Sequence, residues 1–252
     1  MKEVDDRYGP LEWRLPEAHA IYWAQVGLSQ SRKSDLITLR RVIYQSMHMM
    51  VLRGKLTSID PLRFGPDFSK IDQANAAYEL MIRDDTEQKE AIKRAHRNFL
   101  KELVYLLYAN NHVAEAGRWF KYVRDAYPDS IPATLNLDQY ALGRLTGEFS
   151  QMSHDKTKNV LEGLIKQYYF NLAMEEDDRA AGFELFARKL WNNYADSIKG
   201  QTQRLGMPPL EEMKRGIRDE FLDPTNGLPA DAAARLRTKL NLPPPGASRV
   251  QK

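Results

Sequence analysis

The chain has 252 residues and a mass of 29.1 kDa, room for one large or two small domains whose core needs no covalent staple. Its zero cysteines exclude a disulfide framework and any thiolate metal site. Lysine and arginine number 37 against 34 aspartate and glutamate, and 42% apolar with 28% charged residues describes a soluble globular protein, not a disordered or membrane one.

The first residues, Met1-Lys2-Glu3-Val4-Asp5-Asp6, are acidic and carry no apolar run of the kind a secretory signal needs. An aromatic-rich segment follows, with Tyr8, Trp13, Tyr22 and Trp23 close together and Pro10 and Pro16 bracketing a stretch expected to be extended. Two readings stand for it. It is a strap that caps the exposed end of a helix stack, or an aromatic recognition surface built on Trp13, Tyr22 and Trp23.

From there helical periodicity dominates. The spacing of apolar residues predicts helices over 16–30, 33–53, 70–84, 86–110, 112–127, 132–147, 154–176, 178–199, 208–222 and 230–241. Ser34 or Asp35 is placed to cap the second of these, Gly54 to end it, and Asp85 with Gln88 to form a variant capping box for the fourth. Sustained apolar/polar alternation is missing, so 54–69, with Asp60-Pro61 and Gly65-Pro66, reads as irregular. Pro208-Pro209 opens another helix, and Pro243-Pro244-Pro245-Gly246 begins a tail expected to be disordered. The expected organisation is a helical domain over 1–200, a helical pair or cap over 201–242, and a tail over 243–252. The most apolar windows fall short of the roughly 20 residues a membrane span requires.

The helix expected at 86–110 shows the pattern well. Ala91, Ala95, Phe99, Leu103, Leu106 and Leu107 share one broad face, while Lys89, Lys93, Arg97 and Lys101 form a charged stripe on another. Across 97–130, Leu103, Ala116, Phe120 and Pro128 stand at the leucine, small, phenylalanine and closing-proline positions of a tetratricopeptide repeat. Leu100, Val104, Leu107 and Val123 occupy its tryptophan, glycine, tyrosine and second small positions as departures. The segment therefore resembles that family. Leu142-Gly143, and Gly182 followed by Phe186, are similar to degenerate copies, so the resemblance covers about 97–199. It implies an all-α fold of antiparallel helical hairpins stacked as an α-solenoid; an irregular helical bundle is the alternative. The resemblance further implies a non-catalytic scaffold that binds a protein or peptide partner through Asn98, Lys101, Tyr105 and Tyr108. Lys101 matches the lysine of the family's carboxylate clamp, whereas Tyr105 stands where that clamp has asparagine.

Motifs for chemistry are missing. His19, His48, His96, His112 and His154 are scattered without an HExxH pattern, and no phosphate-binding glycine run or GxSxG elbow occurs. Neither a catalytic residue, a metal site nor a cofactor is expected, and Met47, Met49 and Met50 around His48 read as core. Basic clusters at 32–55 and 89–101 keep nucleic acid as a weaker alternative, without the interleaved aromatics that stack bases. A second alternative is an enzyme or small-molecule binder with a pocket between helices near Trp13, His19, Tyr22 and Trp23. The expected setting is cytoplasmic, or the soluble part of a longer envelope-associated protein.

Overall fold

Apolar spacing and helix propensity set nearly every element. A computed structural model describes residues 2–59, 62–147, 154–197 and 207–243. Among them are eleven α-helices and one two-stranded sheet, so the protein is all-α in class. The chain divides into two compact units, Met1–Lys101 and Glu102–Lys252, and the boundary falls inside one helix. This differs from the expected boundary near residue 200. The tail expected from 243 lies, beyond that residue itself, outside the described residues.

The first unit holds α1 (Lys2–Tyr8), α2 (Pro16–Gln30), α3 (Lys33–Arg53), a hairpin of β1 (Lys55–Ile59) and β2 (Leu62–Gly65), α4 (Ile71–Asp84) and the first part of α5 (Lys89–Ala109). Ile71, Ala74, Tyr78 and Met81 give α4 a buried stripe at helical spacing, which packs on α3 where Ile43, Tyr44, Met47, Met50 and Val51 are buried. Asp85 joins α4 to α5. Its backbone N–H still bonds to the Met81 carbonyl, while its Oδ1 accepts from the N–H groups of Glu87 and Gln88 at 3.0 and 2.8 Å. One residue thus serves the end of one helix with its backbone N–H and the start of the next with its buried carboxylate.

Three local expectations are corrected. The first helix is not the one expected from Pro16: Lys2–Tyr8 already coil into α1, whose Val4 and Tyr8 are buried. Asp5 then accepts from the Leu11 N–H at 3.0 Å and Trp13 Nε1 at 3.3 Å, folding the chain back at Gly9, where φ is +78°. The segment 54–69 is not irregular. Lys55 pairs with Gly65 and Ile59 with Leu62 in antiparallel register, with an irregularity between Leu56 and Ser58. Strands this short alternate too briefly to be read from sequence. In α3 the N-cap position falls on Arg32, ahead of Ser34 and Asp35, whose side chains lie outside the described residues.

The second unit continues with α6 (Val113–Ala126), α7 (Leu137–Thr146), α8 (His154–Ala173), α9 (Asp177–Ser197), α10 (Leu210–Phe221) and α11 (Ala230–Lys239). α7 starts five residues later than its periodicity predicts. The Arg124 guanidinium takes the carbonyls of Pro132, Ala133 and Leu135 at 2.8, 3.2 and 2.6 Å, so that stretch cannot use them within a helix. The helix begins instead behind a reciprocal capping box between Asn136 and Gln139.

Three helices of this unit end in the same way. After α5 the N–H of His112 bonds to the Leu107 carbonyl and that of Asn111 to Tyr108; Glu176 and Glu175 repeat the pattern after α8, and Leu242 and Asn241 after α11. These are Schellman turns, with Asn111, Glu175 and Asn241 at φ of 64°, 61° and 52°. α8 and α9 then lie against each other, and α10 and α11 both pack on α8. The contacts are specific: Lys214 reaches Glu184 at 2.7 Å, Trp191 Nε1 donates to the Pro208 carbonyl at 3.2 Å, and Arg235 Nε donates to the Ala173 carbonyl at 2.8 Å.

Where α9 meets the end of α5 there is no room for a side chain. A Cβ on Gly182 would stand 1.9 Å from the carbonyl oxygen of Ala109 and 2.5 Å from its carbon. Gly182→Ala should therefore lower stability by about 2–3 kcal/mol through overpacking against backbone. Gly163→Ala and Gly216→Ala meet nothing within 4 Å and should each raise stability by roughly 0.5–1 kcal/mol through helix propensity. Urea denaturation of the three variants measures this, and an unchanged midpoint for Gly182→Ala would refute the contact.

Candidate functional site

The four residues expected to form a partner-binding face all lie on α5, at different depths. Asn98 is exposed, Lys101 is half-buried, and both fall in the first unit. Tyr105 is half-buried in the second, its ring centroid 6.0 Å from that of Phe186. Tyr108 is fully buried. Its hydroxyl donates to Asp138 Oδ1 at 2.6 Å, while Lys189 Nζ donates to Asp138 Oδ2 at 2.5 Å. Burial, reinforced by the bond to Asp138, raises the Tyr108 phenol far above its ordinary range. Burial pushes Asp138 up, but the hydrogen bonds from Lys189 and Tyr108 hold it below the usual carboxylate value. Tyr108 is thus the buried centre of a tie among α5, α7 and α9 and presents nothing to a partner.

The aromatic segment divides in a similar manner. Trp13 and Tyr22 stand edge to face with centroids 6.3 Å apart, and Tyr22 meets Trp23 in the same way at 5.1 Å. His19 Nε2 lies 2.8 Å from the Trp13 carbonyl oxygen. Trp13 and Tyr22 are half-buried, but Trp23 is 66% exposed, an indole held out on a rigid helix. The segment is thus packed at its root and exposed at its tip.

The first unit holds a cavity of about 710 Å³ between α1, α2, α3 and α4, which Trp13, Tyr22 and Trp23 do not line. Its walls are Leu28, Leu36, Ile43, Leu80 and Met81. Ala76 and Ala77 make the room, since larger side chains there would project into it. Arg7 and Tyr8 gather on Gln25 in its wall; Asp72 lines it too, as does Arg40, which pairs with Asp84 at 3.0 Å. Sequence periodicity gave no sign of this arrangement beyond the adjacent alanines, because the cavity is assembled from four separate helices. The basic clusters are partly neutralised as well: Arg53 pairs with Glu17, and Lys93 with Glu90 at 2.8 Å. Among the described residues no group of three or more acidic or histidine side chains is placed to hold a metal ion, and no helix is long and apolar enough to cross a membrane.

The first unit also holds an aromatic and histidine cluster, largely buried. Tyr78 stacks on His96 at 5.2 Å and on Phe99 at 5.3 Å, and its hydroxyl lies 3.1 Å from His48 Nδ1. His96 is 2% exposed, with Nε2 at 2.7 Å from Asn75 Oδ1, which fixes the neutral ring with its proton on Nε2. Desolvation lowers its pKa to about 4, against a smaller opposing pull from Glu79. The unfolded chain takes up this proton near pH 6.5 and the folded one only near pH 4. Stability is therefore complete above pH 6.5, falls as pH drops toward 4, and is flat below it with respect to this group. The loss is about 3 kcal/mol. Denaturant titrations at pH 7, 5.5 and 4 should show it, and His96→Gln should flatten the profile while keeping an amide donor for Asn75. An equal slope in wild type and variant would assign the acid sensitivity elsewhere.

Compared with known proteins, the chain matches no protein-family model, no curated protein and no solved structure.

Proposed function

We propose that this chain is a non-catalytic helical scaffold of TPR-like helix pairs that binds a protein or peptide partner. The observation that carries the reading is the repeated turn of the second unit: α5 passes to α6, and α8 to α9, through three-residue Schellman connections with equivalent hydrogen bonds. The positions aligned with the family's pattern, departures included, are consistent with it. Leu100, Leu103, Val104, Leu107, Ala116, Phe120 and Val123 are all buried, and Gly182 is a small residue at a close helix approach, here between α9 and α5. The α-solenoid arrangement belongs to the same proposal. On this reading Asn98, Lys101 and Tyr105 offer the contact face of α5, with the exposed Trp23 as a separate anchor. Its setting is the cytoplasm, where a chain without cysteines loses nothing to reducing conditions.

A photo-crosslinking residue at position 98 of the full chain tests the proposal in native lysate. One stoichiometric adduct should form, and Lys93→Glu with Lys101→Glu should reduce it at least tenfold while circular dichroism shows the helices retained. No adduct, or an adduct indifferent to both charge reversals, would overturn the reading.

A further inference from the structure

The cavity of the first unit has the chemistry of a binding site independent of any protein partner. Its volume, about 710 Å³, lies within the range of pockets that hold small molecules, and its lining follows the same plan of apolar walls with a few polar groups at one end. The polar end is organised. Gln25 Oε1 accepts from the Tyr8 hydroxyl at 3.0 Å and from Arg7 Nη1 at 3.3 Å. With the oxygen so engaged, the other end of that amide is its Nε2 donor pair, which meets no acceptor among the described residues. Arg7 likewise pairs with no carboxylate among the described residues; besides its bond to Gln25 it lies over the Tyr8 ring, 5.5 Å from its centroid. A guanidinium and an amide with open N–H donors thus line the cavity side by side, joined through Gln25 Oε1 and with no carboxylate bonded to either.

The rest of the cavity argues against a polar ligand. Beyond this corner the walls are Leu28, Leu36, Ile43, Leu80 and Met81, and Gln73 to Met81 along α4 is a rise of about 12 Å. Arg40, the second cation, is already balanced by Asp84. Asp72, the remaining charge, sits in the first turn of α4 where a helix N-terminus favours it. It repels an anion held nearby and so limits affinity.

We propose that the α1–α4 cavity binds an amphipathic monocarboxylate, with its carboxylate on Arg7 and Gln25 and its hydrocarbon chain along Leu28, Leu36, Ile43, Leu80 and Met81. Decanoate is a suitable probe, and decan-1-ol is its uncharged match. Titration calorimetry on the full chain should show one decanoate site, with the alcohol at least tenfold weaker, as loss of a charge-assisted hydrogen bond implies. Arg7→Gln, an exposed position that does not support the core, should bring decanoate down to the level of the alcohol. Asp72→Asn should tighten decanoate two- to threefold and leave the alcohol unchanged. Ala77→Phe fills the cavity and should abolish both, with circular dichroism reporting that the helices remain. Absence of decanoate binding, equal affinity for acid and alcohol, or retention of binding in a folded Ala77→Phe would each overturn the proposal.

Discussion

Backbone meets backbone where α9 crosses the end of α5, and the second unit is arranged around that contact. With hydrogen alone at Gly182, the helix axis can approach until its α-carbon rests on the carbonyl of Ala109. Only at that distance does Phe186, one turn further on, reach the ring of Tyr108 with centroids 5.1 Å apart. Lys189 then lies within reach of Asp138, which also holds the Tyr108 hydroxyl. A methyl group at 182 would push all three interactions apart together. Packed cores respond to such a wedge as a unit because side chains already fill the space behind it. The Schellman turn after α5 is part of the same arrangement: it turns the chain away at Asn111 and leaves the end of the helix open to α9.

The first unit is built on a different constraint, namely which polar groups its interior must satisfy. His96, Asp85 and Lys70 are each nearly or wholly buried. Two of the three have direct partners: Asn75 for His96, and the N–H groups of Glu87 and Gln88 for Asp85. Lys70 instead lies under Gly9, where an added Cβ would stand 2.7 Å from its Nζ. Desolvation lowers its pKa, and the carboxylates of Asp67 and Asp5 oppose that shift. Asp5 is also the residue that anchors Leu11 and Trp13. The acidic N-terminal helix therefore does two things at once: it holds the aromatic segment in place and sets negative charge beside a buried cation.

Much of this was legible in the sequence. Helices α2 and α3 run over the residues their periodicity predicts, and the capping role of Asp85 follows from its place between two apolar runs. Met47 and Met50 are core, as their surroundings suggested. What sequence could not show depends on distant partners. α7 starts late because Arg124 captures carbonyls from a later stretch. β1 and β2 form because each has the other beside it, since neither is long enough to announce itself. Glu175 adopts a left-handed conformation that Asn111 and Asn241 make plausible at their own positions but a glutamate does not. Among the candidate site residues, apolar spacing could not distinguish Tyr105 from Tyr108. The difference arises from Asp138 on α7, a partner thirty residues away in the chain.

That difference bears on how a helix face is read for function. A tyrosine on a helix stripe offers either an aromatic surface to a partner or a hydroxyl to the interior, and burial alone does not choose between them. An acceptor within reach does. Tyr108 has a carboxylate 2.6 Å away that is itself held by a lysine, so exposing its ring would break a hydrogen bond to a charged acceptor and open the core around a fully buried side chain. Trp23 has the opposite surroundings: its ring touches Tyr22 edge-on, and two thirds of its surface meets solvent. Desolvating it on a partner would require an acceptor only for its indole N–H and would bury a large apolar area. By this criterion the surface whose burial would disrupt the fold least is the tip of the aromatic segment, and Tyr108 is a structural tie.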